Sequence, residues 1–333
     1  MTKDQFEALA EKIIEKIRAR PKHRFDPVKL AKGYKVTRED IISGLGLLQQ
    51  WGYKFKADQN GFFSFLSAPD KLLAREIAHR LKTKIIGCKI HSWQSVQSTN
   101  TLAGQLAAIG APEGTVVVAE QQTRGRGRFG RTWHSPAGLS VYCSIILRPK
   151  IPPTLAPGIS LITAVAVADT IASYGDIDVK IKWPNDILIS GKKTAGILTE
   201  LSAEIGRTNF VIVGVGININ HKISDFPEPL RKSATAVRIG LKREIRRVDF
   251  LKNFMAKFEK EYLGFKKRGL AASRKRILKY SSLINSSITL KIGRKTLSGN
   301  VLDIDGSGRL VVETAEGIRQ FSAGEVTMHE SGS

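Results

Sequence analysis

TVVVAEQQTRGRGRFGRTWHSPAGLSVYCSIILRP, residues 115–149, decides the fold. It opens on a β-branched run and closes on a second one, SVYCSIIL, and each has the length and composition of a strand. Between them, residues 123–131 hold three glycines and four arginines, Arg124, Arg126, Arg128 and Arg131. Arg-Gly repeats in disordered RNA-binding segments run on for many residues, whereas this one stops at Trp133 and leads into another strand. It lacks the spacing of a Walker A loop, G-x-x-x-x-G-K-[ST]. Its glycines let the backbone approach a ligand, and its arginines offer forked donors for phosphate or carboxylate oxygens.

Around that loop the pattern alternates. DVKIKWP, TAGILTEL and NFVIVGVGININ read as further strands, with helices at about 98–109 and 158–174. The expectation over residues 70–280 is therefore an α/β or α+β domain. GISLITAVAVADTIA, from Gly158, falls short of the roughly 20 residues of a membrane span and contains Asp169, so it reads as a buried helix. From Lys242 to Lys279 the chain is helical by pattern, with Phe250, Leu251, Phe254, Phe258 and Tyr262 on one face. Its lysines read as a solvated face, with docking of an acidic protein as the sharper alternative.

Residues 1–66 read as three helices and a hairpin. Leu9, Ile13, Ile14 and Ile17 recur at helical spacing, DPVKLAKG opens a short helix, and Thr37 caps a third over 37–50. YKFKADQNGFFSFL then alternates around an Asn60-Gly61 turn. That order predicts a winged helix-turn-helix, with the third helix reading a major groove and the hairpin as wing. Arg38, Lys54 and Lys56 are the candidate DNA contacts, while Glu39 and Asp40 oppose an approach to phosphates. A helical module used only for docking or folding is the alternative. Residues 281–333 alternate in short strands, ITLKIG, TLSGNVLDID, RLVVET and IRQFSA, as in a small SH3-like β-barrel.

Composition is that of a soluble globular chain: 333 residues, 42% hydrophobic and 25% charged. The formal net charge of +23 favours anionic partners such as nucleic acid, nucleotide phosphates or an acidic protein. Cys88 and Cys143 form neither a disulfide framework nor a metal-binding pair, and read as packing residues in a reducing cytoplasm. The first twenty residues carry no apolar signal core, and no membrane partner is expected.

Three further motifs carry chemistry. In KWPNDILISGKKTAGIL, Trp183 and Pro184 set a rigid turn that presents Asn185 and Asp186, and a carboxylate there helps hold magnesium with nucleotide phosphates. The plainer reading is an Asx turn. Lys193, close to an arginine loop, makes sense with an anion between the cations. GVGININ, 214–220, is half of a dinucleotide fingerprint without its third glycine or following helix, which excludes a Rossmann cofactor site. Its Asn218 and Asn220 alternate onto one side, where an amide pairs with an adenine edge. SVQSTNTLAGQLA gives Ser98 as a helix N-cap followed by Thr99 and Asn100, a small polar cluster suited to a ureido ring or simply to a helix start.

QSTN, EQQTRGRGRFGRTW, KWPND, KTAGIL and GVGININ, in that order, resemble the biotin protein ligase family in its bacterial form with an N-terminal winged helix, and the likeness covers nearly the whole chain. The resemblance implies ATP-dependent formation of biotinyl-5′-AMP and transfer of biotin to a lysine of a biotin carboxyl carrier protein. It implies a second role as biotin-responsive repressor of operator DNA, and a homodimer. Ser98, Thr99, Asn100 and Gln122 match the family's biotin contacts. Arg126, Gly127 and Arg128 match the loop that closes over biotin and its adenylate, with Trp133 packing nearby and Arg131 on the nucleotide side. Lys193 matches the lysine that meets biotin's carboxylate and the α-phosphate, Asn218 an adenine-recognising position, and Asp186 a place near phosphates and Mg2+. Arg128, Lys193 and Asp186 are thus the expected catalytic set, with ATP and Mg2+ as co-substrate and ion. Phe129 holds a variable place in the loop and is expected to be harmless. The alternatives are a ligase whose winged helix binds no DNA and a related lipoate ligase, against which the arginine-rich loop speaks.

Overall fold

The computed structural model describes residues 2–21 and 23–328. The chain divides into two compact units between Asp70 and Lys71.

The first unit runs α1 (Lys3–Ala19), α2 (Pro27–Tyr34), α3 (Arg38–Gln50), β1 (Lys54–Ala57) and β2 (Phe63–Ser67). Leu9, Ile13, Ile14 and Ile17 of α1 share a core with Ile41, Leu45 and Leu48 of α3. At the start of α3 the Thr37 hydroxyl accepts from Asp40 N at 3.1 Å and the Asp40 carboxylate accepts from Thr37 N at 2.9 Å, a capping box. Those bonds hold the Asp40 carboxyl below its usual range and fold its charge back onto the helix start. β1 and β2 pair antiparallel, joined by the loop 58–62 and not by a two-residue Asn60-Gly61 turn. The Asp58 carboxylate gathers the amides of Asn60 at 3.0 Å and Phe62 at 3.1 Å, which builds the longer loop. Arg38 lies beside Gly61 of this loop, and Lys54 and Lys56 are exposed on β1.

The second unit begins with α4 (Ala74–Ala78), β3 (Ile90–Val96), α5 (Thr99–Ala108), β4 (Val116–Gln122) and β5 (Ser140–Leu147). It continues through α6 (Pro157–Ala172), β6 (Val179–Lys182), β7 (Asp186–Ile189), β8 (Lys192–Glu204), β9 (Arg207–Asn218), α7 (Val237–Leu241), α8 (Arg247–Arg268) and α9 (Arg274–Tyr280). Seven strands form one sheet in the order β3-β4-β5-β9-β8-β7-β6. β3 and β4 run parallel and the other neighbours antiparallel, so the architecture is mixed α/β. β3 and β7 escape the sequence patterns because IHSWQSV is a polar edge strand and DILI is very short.

Alternation along the strands separates the sheet's faces. Val116, Val118, Cys143, Ile145, Val213 and Val215 turn toward α6 and α8, whose apolar faces complete the main core. Val117, Ile146 and Ile212 turn the other way and are covered by α5. With the 3-10 turn ahead of it, the apolar stretch Pro153–Ala172 reaches 20 residues and is long enough to span a membrane, against the length expectation. Most of it is buried in the protein core, which accounts for its composition. Both cysteines are free; Cys143 is a packing residue as expected, but Cys88 is exposed.

Five strands follow, β10 (Ser287–Ile292), β11 (Lys295–Ile304), β12 (Leu310–Thr314), β13 (Gly317–Phe321) and β14 (Glu325–Met328), in the order β13-β12-β11-β10-β14. The short β14 is an addition to the four strands expected. Among the described residues β13 and β14 are the sheet's edges, so backbone pairing does not close a barrel. Ile288, Leu290, Val301, Leu310 and Val312 belong to the same core as α6 and α8.

Candidate functional site

On the α5 side of the large sheet lies a cleft of about 950 Å³. It is lined by Ser98, Thr99 and Asn100 from the start of α5, Gln122 from the end of β4, and Arg126, Gly127, Arg128, Arg131 and Trp133 from the loop after it. Asp186 of β7, Lys193 of β8 and Asn218 of β9 also line it, so the expected site residues from 98 to 218 converge on one cavity. Arg124 is exposed and is not among the lining residues.

One end is a closed polar network. Ser98 occupies the N-cap position of α5 without a side-chain cap bond. Gln122 takes over that task, its Oε1 accepting from Thr99 N at 2.9 Å while its Nε2 donates to Ser135 Oγ at 3.1 Å. Beneath them the fully buried Ser144 hydroxyl lies 2.8 Å from Thr99 Oγ1 and 2.6 Å from Asn100 Oδ1. Asn100 Nδ2 donates to Leu198 O at 3.2 Å and to Glu200 Oε2 at 2.7 Å. A cluster of donors and acceptors held this firmly suits a compact polar ring.

The floor is made by glycines. A Cβ on Gly214 would fall 2.0 Å from Asn100 Oδ1, and one on Gly216 would fall 2.5 Å from Trp133 Nε1. The two glycines of GVGININ therefore admit the Asn100 amide and the Trp133 indole flat against β9, a role in side-chain packing instead of a dinucleotide turn. Asn218 is buried and donates to Thr235 O at 3.1 Å, while Asn220 exchanges bonds with Ile245 and does not line the cleft.

The other end is charged. Lys193 Nζ lies 2.7 Å from Asp186 Oδ1 and 5.5 Å from the centroid of the Trp133 ring. Arg128 donates to Asn185 Oδ1 at 2.9 Å, and Asn185 Nδ2 donates to Ile197 O at 3.0 Å, so the cis Trp183–Pro184 turn and the loop meet across the cleft. Burial lowers the Arg128 guanidinium from its usual value, opposed by the carboxylates of Asp186 and Glu325. Arg131 pairs with Glu325, and β14 brings Val326 and Met328 to the same rim. The loop itself is a small hairpin, with Arg126 bridged to Thr132 and Gly127 N donating to Arg131 O at 2.7 Å. At its tip Phe129 is 66% exposed with φ of 56°, a strained choice for a non-glycine residue, and its ring lies 4.8 Å from the Arg128 guanidinium carbon.

Sequence reasoning missed Ser144, Glu200, Phe226 and the β14 residues. Ser144 in the middle of the buried strand SVYCSIIL was a signal, since a buried hydroxyl needs a partner. Among the described residues no group of three or more His, Cys, Asp or Glu side chains gathers to hold a metal ion.

Residues 92–218 match the family model described as Biotin/lipoate A/B protein ligase family, and residues 283–328 match that of the Biotin protein ligase C terminal domain. The chain is 37% identical over 300 residues to the bifunctional ligase/repressor BirA of Bacillus subtilis, covering 90% of this chain and 92% of that protein. It is 30% identical over 301 residues to the Escherichia coli protein of the same name, covering 89% and 90%. A biotin protein ligase from Aquifex aeolicus, solved in complex with biotin and ATP, superposes with a TM-score of 0.64 at 27% identity over 73% of this chain and all of that one.

Proposed function

Since the chain belongs to the biotin protein ligase family, we propose that its cleft joins biotin to AMP and then passes biotin to a carrier-protein lysine. A biotin carboxylate oxygen attacks the α-phosphorus of ATP and the bond to pyrophosphate breaks. The acceptor lysine's amine then attacks the acyl carbon, expelling AMP and losing a proton. Neither step needs a covalent nucleophile from the protein. What is needed is stabilisation of charge developing on phosphate and leaving groups, and exclusion of water from the mixed anhydride.

The single observation that carries this reading is the convergence of a hydrogen-bonding end and a charged, arginine- and lysine-bearing end in one cleft. Ser98, Thr99 and Gln122 take the ureido ring, with Trp133 as the wall along the rest of biotin. Lys193 meets the carboxylate and α-phosphate, Arg128 and Arg131 the nucleotide phosphates, and Asn218 the adenine side. Magnesium would arrive with those phosphates: Asp186 supplies one carboxylate, which fits an ion otherwise ligated by phosphate and water oxygens. That carboxylate also lies 2.7 Å from Lys193 Nζ.

The first unit acts as a winged helix, with Arg38 and the hairpin lysines Lys54 and Lys56 against an operator, so the chain is also a repressor. Residues 70–280 form the ligase domain and 281–333, of which 329–333 lie outside the described residues, an SH3-like domain whose rim completes the cleft. The C-terminal match, to a biotin ligase domain, favours biotin over lipoate. A homodimer and a reducing cytoplasm complete the reading.

Incubation with labelled biotin, MgATP and a carrier domain tests the ligase, with lipoate in a parallel arm. Label on the carrier lysine is the expected result; transfer of lipoate alone, or of neither, overturns it. Salt-dependent retardation of the promoter of its own biotin genes, strengthened by biotin and ATP, tests the repressor.

A further inference from the structure

Two residues matched to biotin contacts meet on a carboxylate that no motif contains. Arg126 Nη2 donates to Glu200 Oε1 at 3.0 Å, and Asn100 Nδ2 donates to Glu200 Oε2 at 2.7 Å. The second hydrogen of Asn100 Nδ2 goes to Leu198 O, and its Oδ1 takes the Ser144 contact at 2.6 Å. Asn100 therefore has no donor left for a ligand. Its amide is committed to Glu200 and to the strand beneath it.

Glu200 reaches this place by strand alternation, on the same side of β8 as Gly196 and Leu198. Arg126 would otherwise be one more cation on an exposed loop beside Arg128, Arg131 and Lys193, in a chain of net charge +23. A single carboxylate offsets that repulsion at the point where the loop leaves β4. It also closes a chain of contacts from Ser135 through Gln122, Thr99, Ser144 and Asn100 to Glu200 and Arg126, whose two ends lie on either side of the loop tip.

We propose that Glu200 is the positioning residue of the arginine loop: it latches Arg126 and, through Asn100 and Ser144, ties the loop to the start of α5. Resting on the ligase reading, this makes Glu200 the residue that governs how long the adenylate is retained, although it does not itself touch the reacting atoms.

The test uses full-length protein with Glu200→Gln, Glu200→Ala, Arg126→Ala and the double variant Arg126→Ala/Glu200→Ala. Ligand-free samples are digested briefly with trypsin, and cuts after Arg124, Arg126, Arg128 and Arg131 are counted by mass spectrometry. Release of preformed adenylate is timed in parallel. Glu200→Gln keeps an acceptor for Asn100 but loses the ion pair, so loop cleavage and adenylate release should each rise roughly twofold to fivefold, the range of a half-exposed pair. Glu200→Ala should exceed that, because Asn100 also loses its acceptor, and the share of its effect on release that comes from the ion pair should vanish when Arg126 is already alanine. Unchanged cleavage and release in Glu200→Ala, or effects that simply add to those of Arg126→Ala, overturn the proposal. If the wild-type protein forms no adenylate, the ligase reading fails, while the trypsin arm still reports on the latch.

Discussion

Lys193 Nζ is shared between the Asp186 carboxylate, 2.7 Å away, and the face of Trp133, 5.5 Å away. The cation is thus held at the junction of the cleft's aromatic wall and its charged end, where a carboxylate and a phosphate would have to meet. Removing it by Lys193→Ala takes the nearest cation from Asp186 and, on the proposed reading, a cation from the reacting oxygens. Biotin-dependent pyrophosphate release should fall by a factor on the order of 100 to 1,000, the cost of losing one stabilising donor. Lys193→Arg should not restore it, because a planar fork cannot replace a compact ammonium on both partners. Near-normal release in the alanine variant would remove Lys193 from the chemistry.

Arg128 is bound to Asn185 and stacked on Phe129, so it spans from the loop to the turn before β7. Arg128→Gly cuts that span and adds flexibility at the loop tip. A charge-assisted hydrogen bond is worth about 1.5–3 kcal/mol, so adenylate should leave on the order of 10 to 100 times faster. Stopped-flow or filter measurement of adenylate dissociation decides it, and an unchanged off-rate would assign Arg128 to the surface.

Gly216 is the floor under the Trp133 indole. Gly216→Ala would drive a methyl to 2.5 Å from Trp133 Nε1, a separation that real side chains do not tolerate. The indole must lift from β9, so the KM for biotin should rise at least tenfold, about 1.4 kcal/mol, while the melting temperature changes little because the half-buried indole moves into the cleft and not into the core. A large loss of stability with unaltered KM would show that the glycine serves the sheet and not the site.

The elements legible in the sequence are those that periodicity sets. The strands flanking the arginine loop, the helix at 158–172 and the apolar face of α8 all announce themselves through residue spacing. The site was legible wherever a residue type is unusual for its element, as with arginines in a turn or glycines in a buried strand. Glu200 and Ser144 were hidden because their importance lies in partners 74 and 44 residues away, Arg126 and Asn100. Likewise the Asn60-Gly61 signal was real, yet Asp58 wins by capturing two amides at once and opens a wider loop. Asn220 has the same side chain as Asn218 two residues on, but the strand has ended and the amide turns to Ile245.

His221 predicts how the folded protein responds to acid. It is fully buried, stacks on Phe226 at 4.7 Å between ring centroids, and neither ring nitrogen has a hydrogen-bond partner among the described residues. Burial pushes its pKa down from 6.5 to about 4, with Asp225 opposing and His134 reinforcing. The unfolded chain therefore takes up a proton as pH falls through 6.5, whereas the folded chain does so only near 4. Stability is unaffected above that window and declines on descending through it, by at most about 3 kcal/mol from this residue. His221→Phe keeps the stack on Phe226 and removes the proton site, so its urea midpoint should fall less between neutral and mildly acidic buffer than that of the wild type. Equal slopes in the two proteins would mean that the carboxylates alone set the acid response.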